Sequence, residues 1–467
     1  MGFDELSTES RMIATPWSRM VRGIGLGQYP VDYDPEIAGW IRHSLDLVAE
    51  RAKGDSYTAF ARRTAGLILT VAGGDRIDLA REVEAVADEV RAVKNPYYRV
   101  TAGSVLMDAV AKLGVGSALP AGFPAEILAT VDRIEPDRIK DENSGRHGDY
   151  EKLSAFTAVF LAHGQLGLAD RLGSLVPQAL GLLDNVPAPF FRGRGGAMLI
   201  SVISLIGHGA HLAGEERDHV AAVLDYLDRA DELRLAPSFP QPMSPAFATI
   251  YPLVTMLNAI AMTGRPEYLT HGRDRLAQMR ELWAAITPVE RTHMGLYYLV
   301  ALHNLGRLRA EVPDLDGFVE ALVGQWRHVD PGENFFLNGI SYAYMIETAM
   351  IAGRPDLITG AFVERLVDSF PDLDRTELDR ANRPYPFSYA VNALGEIGAA
   401  ARLFTPRARY GARTPMEWVV GQLSGDLAEE NSRLYMLNHA LISYALRLRG
   451  AGSGETELFR SFRFGAR

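Results

Sequence analysis

The chain has 467 residues, of which 47% are hydrophobic and 23% charged, a balance typical of globular proteins with a sizeable core. Its net charge is −10 and no run of basic residues occurs, which argues against nucleic-acid binding because phosphates are bound by clustered cations. The chain contains no cysteine, so disulfides, thiolate metal ligands and thiol nucleophiles are excluded.

Residues 1–33 predict an irregular segment, because prolines and glycines are spread through them. The segment begins with acidic residues and lacks the continuous apolar stretch of a signal peptide. Nowhere does the sequence show a run of roughly twenty apolar residues. We therefore expect a cytoplasmic protein that does not insert into a membrane.

Amphipathic helices follow from residue 34 onward. Asp34 and Pro35 form a typical helix start, an acidic N-cap followed by proline at the first helical position. Apolar spacing then predicts helices over 36–53, 57–72, 77–93 and 100–113. No strand pattern is seen, so the predicted class is all-α.

Charge-rich helices alternate along the chain with helices that are poor in charge and rich in small residues. In 332–353 a polar loop leads into a helix with no broad polar face, which indicates a helix surrounded by protein. Glycines are predicted to end the charge-poor helices, since a left-handed residue is favoured there. These are Gly114, Gly164 or Gly167, Gly214, Gly264, Gly306, Gly353, Gly398 and Gly450.

The intervals between these glycines are about 40 to 55 residues, the range of helical-hairpin repeats. Such hairpins stack into an open superhelix or close into an (α/α) toroid with the charge-poor helices inside. The small residues and uneven repeat length favour the toroid, with six or seven hairpins. We expect one domain over 34–450 and a separate tail over 451–467.

In a toroid, the first turns of the inner helices surround one opening of a central cavity. Aromatic, basic and amide side chains recur at these positions, and such a lining is typical of small-molecule sites. The alternative is that the rings only fill the wide end of the bundle. The candidate substrate-binding residues are Tyr98, Arg99, Tyr150, Phe191, Arg192, Arg194, Tyr251, Tyr297, Tyr298, Phe336, Asn338, Tyr342, Tyr389, Tyr435 and Asn438.

The most polar of these helix starts carries His147, Asp149 and Glu151, which are close enough to act on one ligand as general acid and base. The alternative is a surface loop in which Asp149 is the N-cap of the next helix. In RGRGG, residues 192–196, the two arginines and the free N–H groups of a helix start favour a carboxylate or phosphate.

Asp108 and Glu347 each lie six residues before a closing glycine, in mostly apolar helices. They are candidate acid and base groups of the cavity, with pKa values raised by burial. The alternative is that they join neighbouring helices, for example through Asn258 and Asn392. His208 and His211 lie three apart, but no recognised ligand set surrounds them, and we expect no metal and no cofactor.

The glycine-closed hairpins with aromatic helix starts resemble the (α/α) toroid superfamily over residues 35–450. That superfamily includes terpenoid cyclases, protein prenyltransferase β-subunits, linalool dehydratase-isomerase-like enzymes and several glycoside hydrolase families. The resemblance implies a central cavity and a small-molecule substrate. No catalytic signature of these families can be placed on this chain, and the cysteines associated with linalool dehydratase-isomerase are missing.

The leading hypothesis is a cofactor-independent lyase or isomerase, of cyclase or dehydratase type, acting on an apolar terpenoid-like molecule. Aromatic faces would stabilise developing positive charge. A carbohydrate-active hydrolase or epimerase with paired carboxylates is the second hypothesis. A non-catalytic helical scaffold is the third. A small-molecule substrate is the expected partner, and formation of a homo-oligomer stays open.

Overall fold

The computed structural model describes residues 31–135, 148–186, 188–214, 217–229, 243–423 and 432–450. Within these ranges the protein has no β-strand, only isolated bridges that join Ala213 to Asp218 and Arg407 to Arg413. The prediction of an all-α protein is therefore confirmed.

Charge-bearing helices alternate with more deeply buried, charge-poor helices, which we call outer and inner helices. The outer helices are α1 Pro35–Arg51, α3 Leu79–Ala92, α5 Phe123–Thr130, α7 Val176–Gly181, α9 His219–Asp228, α11 Arg275–Ala285, α14 Leu315–Gly324, α16 Gly360–Val367 and α20 Pro415–Gly421. The inner helices are α2 Ser56–Ala72, α4 Pro96–Lys112, α6 Gly148–Gln165, α8 Pro189–Leu205, α10 Pro245–Thr263, α12 Pro288–Asn304, α15 Ile340–Ile351, α18 Pro384–Glu396 and α21 Ser432–Arg447. Short helices α13 Leu308–Glu311, α17 Glu377–Asn382 and α19 Ala401–Phe404 lie in the connections.

The described residues thus form nine outer–inner pairs, and the expectation of six or seven was wrong. Eight closing positions had been predicted, one for each inner helix after α2, so six or seven was an undercount. Several outer helices are short, with 6 residues in α7 and 8 in α5.

Local sequence sets the ends of the helices as predicted. The Asp34 carboxylate accepts the N–H of Glu36 at 2.8 Å, with Pro35 at the first position of α1. Several inner helices begin in the same manner, with a capping side chain before proline, as at Asn95 before Pro96. These side chains satisfy backbone N–H groups that have no partner inside the helix.

Left-handed glycines follow most of the inner helices. Seven predicted positions have positive φ: Gly114, Gly167, Gly264, Gly306, Gly353, Gly398 and Gly450. The expectation for Gly214 was wrong, because α8 already ends at Leu205 and Gly207, at φ +83°, takes the left-handed conformation. A short 3₁₀ turn follows, which moves Gly214 away from the helix end.

Each inner helix packs against the next one in the chain, and α21 packs back against α2. The Asn438 amide donates to Thr58 Oγ1 at 2.9 Å, and the Tyr57 hydroxyl lies 2.5 Å from Nε2 of His439. The outer layer is joined as well, since the Arg51 guanidinium donates to the Leu423 carbonyl at 2.6 and 2.9 Å. The two ends of the described chain therefore meet.

The helix α10 is unusual in its apolarity. By length and composition alone, Pro245–Thr263 could cross a membrane, and 72% of its most apolar window is buried by the rest of the protein. A buried core helix passes the same test, so this finding is weak evidence about membranes. The sequence reading had noted no such stretch.

The 332–353 segment begins with a π-helical turn rather than a simple loop. Phe335–Gly339 forms this turn, and the N–H of Gly339 donates to the Asn334 carbonyl at 2.9 Å, five residues back. The regular helix α15 starts directly after it. Such wide turns change the direction of nearby carbonyls, often at functional sites.

Candidate functional site

The first halves of six inner helices carry an aromatic band in which each ring contacts the next. The distances between ring centres are 5.0 Å for Tyr150 and Phe191, and 5.2 Å for Phe190 and Tyr251. The band continues with 5.0 Å between Tyr251 and Tyr297. It is completed on α15 and α18, where the ring of Tyr344 lies 5.5 Å from Tyr297 and 5.9 Å from Tyr389.

Three of these tyrosines form a buried chain of hydroxyl groups. The Tyr251 hydroxyl donates to the Tyr297 hydroxyl at 2.9 Å, and the Tyr297 and Tyr344 hydroxyls lie 3.0 Å apart. The three residues are at most 3% exposed and come from α10, α12 and α15. Burial raises the pKa of Tyr251 and of Tyr297, so both phenols stay protonated at neutral pH.

Arg194 of α8 lies beside this chain, with its guanidinium carbon 5.6 Å from the centre of the Tyr251 ring. The residue is 9% exposed and makes no hydrogen bond or ion pair with the described part of the protein, and its Nε is buried without an acceptor. Burial opposes its charge, but the oxygens of Tyr150, Tyr251, Tyr297 and Tyr389 more than offset this, so the pKa of Arg194 is raised.

Glycines on both sides of Arg194 allow the close packing that holds it there. A Cβ atom on Gly193 would lie 2.6 Å from Cβ of Pro252 in α10. A Cβ on Gly195 would lie 2.6 Å from Cδ2 of Leu153 in α6. A contact this short would force the neighbour to shift, so the glycines of RGRGG allow α8 to lie close to both α10 and α6.

His293 of α12 completes the cluster, one turn before Tyr297. The residue is 0% exposed, and its ring lies 4.9 Å from Phe336 and 4.8 Å from Tyr344, measured between ring centres. Burial lowers the pKa of His293 to about 3, and the charge of Arg194 acts in the same direction. The imidazole is therefore neutral at neutral pH.

The π-helical turn supplies the polar partners of this imidazole. The Leu337 carbonyl favours a proton on the ring, and Nδ1 lies 3.4 Å from Oγ of Ser341. Nε2 is buried and has no partner among the described residues. We assign the proton to Nδ1, which leaves the lone pair of Nε2 free to accept a proton.

A second aromatic cluster lies where α21 meets α2 and α4. Tyr57, Tyr98 and Tyr435 have ring centres 5.1 to 5.8 Å apart. His439 stacks on Tyr435 at 4.3 Å. Two predicted residues, Tyr98 and Tyr435, therefore lie together, at the junction between the ends of the chain rather than in the band around Arg194.

The predicted binding residues Arg99 and Arg192 hold loops in place. Nε of each donates at 2.7 Å to a carbonyl of the preceding turn, that of Val93 for Arg99 and that of Val186 for Arg192. Arg291 does the same at 3.1 Å with Trp283. All three follow proline by three residues, so PxxR is a structural motif of the inner helix starts.

Three other predicted binding residues contact the outer layer or a loop. Tyr298 packs on Trp283 of α11 at 4.3 Å. The Tyr342 hydroxyl donates to the carbonyls of Trp326 and Val329 at 2.7 and 3.0 Å. The Asn338 amide donates to the Asp330 carbonyl at 2.9 Å, within the turn before α15. The structure does not bring these side chains into the band around Arg194.

The candidate acids and bases lie at different levels. Asp149 and Glu151 occupy the first turn of α6 beside Tyr150, half-buried and buried respectively, whereas His147 lies outside the described residues. Glu347 is 1% exposed and lies three residues after Tyr344, on the same side of α15 and one turn deeper.

Asp108 lies near the far end of α4 and is paired there. Its Oδ2 accepts from Nζ of Lys112 at 2.8 Å, and both residues are 1% exposed. Burial raises the pKa of Asp108 and lowers that of Lys112 to about 8. At the same end, the Asn304 amide donates to Oδ1 of Asn258 at 2.5 Å. The Asn258–Asn304 bond joins α10 to α12, whereas Asp108 and Lys112 both belong to α4, so their pair lies within one helix.

Metal ligands and surface grooves add little to the site. In the part of the chain that the structure describes, no three His, Asp or Glu residues are grouped to hold a metal ion. Two grooves of about 480 and 490 Å³ lie between outer and inner helices. Neither is lined by any of the predicted site residues.

The sequence reading missed two central residues. Neither His293 nor Tyr344 was among the predicted site residues. Their signal was a spacing, since Tyr251, Tyr297 and Tyr344 are separated by 46 and 47 residues, about one repeat. Compared with known proteins, the chain matches no family model, and no curated protein or solved structure is significantly similar to it.

Proposed function

We propose that the inner helices form a closed (α/α) toroid whose aromatic inner face binds an apolar, terpenoid-like small molecule. On this molecule the protein would act as a cofactor-independent lyase or isomerase. The contact between α21 and α2 supports a ring over the open scaffold of the third hypothesis. The overlapping ring contacts of six successive helices support a shared inner surface.

The observation that carries the proposal is the buried group formed by neutral His293 and the Tyr251–Tyr297–Tyr344 hydroxyl chain. The Nε2 lone pair is used by nothing within the described protein. Because the pKa of His293 is about 3, this lone pair suits removal of a strongly acidic proton, such as one on a carbon beside a developing positive charge. The surrounding ring faces suit a substrate that develops positive charge.

A dehydration shows how protons and bonds would be exchanged in such a reaction. A carboxylic acid on Glu347 would give its proton to the leaving hydroxyl group, so that the C–O bond breaks and water departs. His293 Nε2 would take a proton from the adjacent carbon, whose electrons form the new double bond. Both groups would exchange protons with water before the next turnover. For an isomerisation, the same two groups would add and remove a proton at different carbons.

The alternative of sugar chemistry has less support. A glycosidase needs two carboxyl groups roughly 5 to 10 Å apart across one bond. Glu347 is buried on α15, three residues after Tyr344, and Asp108 is already paired with Lys112 at the far end of its helix.

The test uses acyclic and cyclic C10 and C15 alcohols as substrates, with products followed by gas chromatography and mass spectrometry. We expect His293→Gln to reduce turnover by roughly 10²-fold or more, the usual contribution of a general base. Tyr297→Phe should also reduce it. The control is Tyr298→Phe, the neighbouring residue that packs on Trp283 instead. Turnover of a substrate by His293→Gln at the wild-type rate would refute the assigned base.

A further inference from the structure

Arg194 is a buried arginine that has no carboxylate partner among the described residues. A buried charge is stable only when it is paired or hydrogen-bonded, since its transfer out of water is very unfavourable. Nε of Arg194 is buried without an acceptor, and no ion pair to it occurs in the described residues. The groups that act on its charge are neutral phenols, and its guanidinium carbon lies 5.6 Å from the centre of the Tyr251 ring.

Arg192, two residues earlier in the same helix, has the hydrogen-bond partners that a structural arginine needs. Its Nε donates to Val186 at 2.7 Å and its Nη2 to the Asp184 carbonyl at 2.6 Å, and its guanidinium carbon lies 3.5 Å from the centre of the Tyr226 ring. Two residues further along, Arg194 has no such acceptor. Both arginines belong to the same helical turn, so the difference lies in the directions in which their side chains extend.

We propose that Arg194 binds the anionic group of the substrate, a carboxylate or a phosphate, while the apolar body lies on the tyrosine rings. This inference rests on the proposed function, since it names the charge of the molecule bound at the same inner face. A guanidinium forms two parallel hydrogen bonds with a carboxylate or phosphate, which fixes the orientation of the ligand as well as its charge.

The position of the anion would orient the reacting carbon atoms. Arg194 contacts Tyr251, the first member of the hydroxyl chain, and its charge acts on His293. A ligand held by its head group at Arg194 therefore extends its body along Tyr297 and Tyr344 toward His293. Neutralisation of Arg194 by the anion would also remove one of the influences that keep His293 unprotonated.

Binding of small probes tests this inference. Benzoate, phenyl phosphate and neutral benzyl alcohol would be titrated against the full-length wild type and against Arg194→Gln, with isothermal titration calorimetry. We expect both anions, or one of them, to bind wild type more tightly than benzyl alcohol. Arg194→Gln should weaken binding of the anion by roughly 30-fold or more, the effect of removing one partner of a buried charge pair. Affinity for benzyl alcohol should stay the same.

Two further variants keep the test decisive. Arg192→Gln is the matched control and should leave the affinity for the anions unchanged. Arg194→Lys keeps the charge without the two-pronged geometry and should recover part of the affinity. The tighter of benzoate and phenyl phosphate identifies the anionic group as carboxylate or phosphate.

The possible failures can be told apart. If benzyl alcohol binds and the anions bind no more tightly, or if Arg194→Gln binds them like wild type, the inference about Arg194 is wrong while the proposed chamber stands. If none of the three probes binds, both are wrong. Cooperative thermal unfolding of Arg194→Gln shows that the variant is folded.

Discussion

The two ends of the inner helices hold buried polar groups in different ways. At the trailing end, Lys112 pairs with Asp108 at 2.8 Å, and Arg447 lies 3.3 Å from Glu396 with both side chains below 10% exposure. At the leading end, Arg194 is as deeply buried but is surrounded by neutral rings. Charges that find partners inside the protein serve the fold. A charge left unmatched among aromatic rings is available to a ligand.

The largest change in stability is expected from a substitution in the Asp108–Lys112 pair at the trailing end. Lys112→Met leaves the Asp108 carboxylate buried without its partner, and breaking a buried pair in this way costs about 3–5 kcal/mol of unfolding free energy. Replacing both residues, as Lys112→Met with Asp108→Leu, should restore most of the loss. Urea unfolding measures both variants. Equal stability of Lys112→Met and wild type would show that the pair does not hold this end together.

The neutral histidine of the leading end predicts a dependence on pH. The folded pKa of His293 is about 3 and its ordinary value is 6.5, so the unfolded chain binds the additional proton between these values. The stability of the protein should therefore be complete above pH 6.5 and fall as the pH is lowered, by at most about 1.4 kcal/mol per pH unit from this residue.

The control for this prediction is His293→Gln, which cannot titrate. The difference in unfolding free energy between wild type and His293→Gln should shrink from pH 7 to pH 4. A constant difference over that range would mean that the pKa of His293 is the same in the folded and the unfolded protein, so that burial does not keep the imidazole neutral at low pH.

Substitution of Arg194 should change the stability of the protein in the opposite direction to substitution of Lys112. Replacing an unpaired buried charge by an apolar side chain of similar length removes a desolvation penalty, so Arg194→Met should stabilise the ligand-free protein by about 1–3 kcal/mol. Thermal unfolding in the absence of ligand measures this gain. A destabilised Arg194→Met would instead identify Arg194 as part of the framework, and the contrast between the two ends would fail.

The smallest change in stability is expected when the hydroxyl groups of two adjacent tyrosines are removed one at a time. Tyr297→Phe removes a hydroxyl that is bonded on both sides, which costs about 1 kcal/mol of stability. Tyr298→Phe keeps the packing on Trp283 and should change stability by less than half of that value. Denaturant unfolding of the two variants in parallel measures both changes in stability. Identical losses would show that the hydroxyl chain adds nothing to the fold.

The same pair of residues shows why the site was only partly predictable. The sequence placed Tyr297 and Tyr298 correctly near the start of a buried helix but could not separate them. Successive residues of a helix point about 100° apart, and a helix that is apolar all round carries no pattern that identifies its inner face. The result was that Tyr298 was chosen and Tyr344 was not.

The arginines at the helix starts are a second case in which the sequence predicted the site only in part. Arg99, Arg192 and Arg194 were all predicted to bind the substrate, because each lies at the start of a charge-poor helix, and the last two were expected to hold an anion. The first two are three residues after a proline, where the side chain reaches carbonyls of its own preceding turn. Comparison of the repeats with one another could have revealed this, since PxxR recurs at Arg291.

By itself, the sequence determined the all-α class, the N-caps such as Asp34, and the left-handed glycines after most inner helices. These features depend on backbone preferences and hydrogen bonds within a few residues of chain, and therefore follow from local sequence. Only the tertiary structure decided which buried charges are paired, which side of each inner helix meets the others, and that α21 returns to α2. Apart from pairs within one helix, such as Asp108 with Lys112, those outcomes depend on residues 46 to 382 positions apart, such as Tyr251 with Tyr297 and Tyr57 with His439. No local preference encodes such contacts.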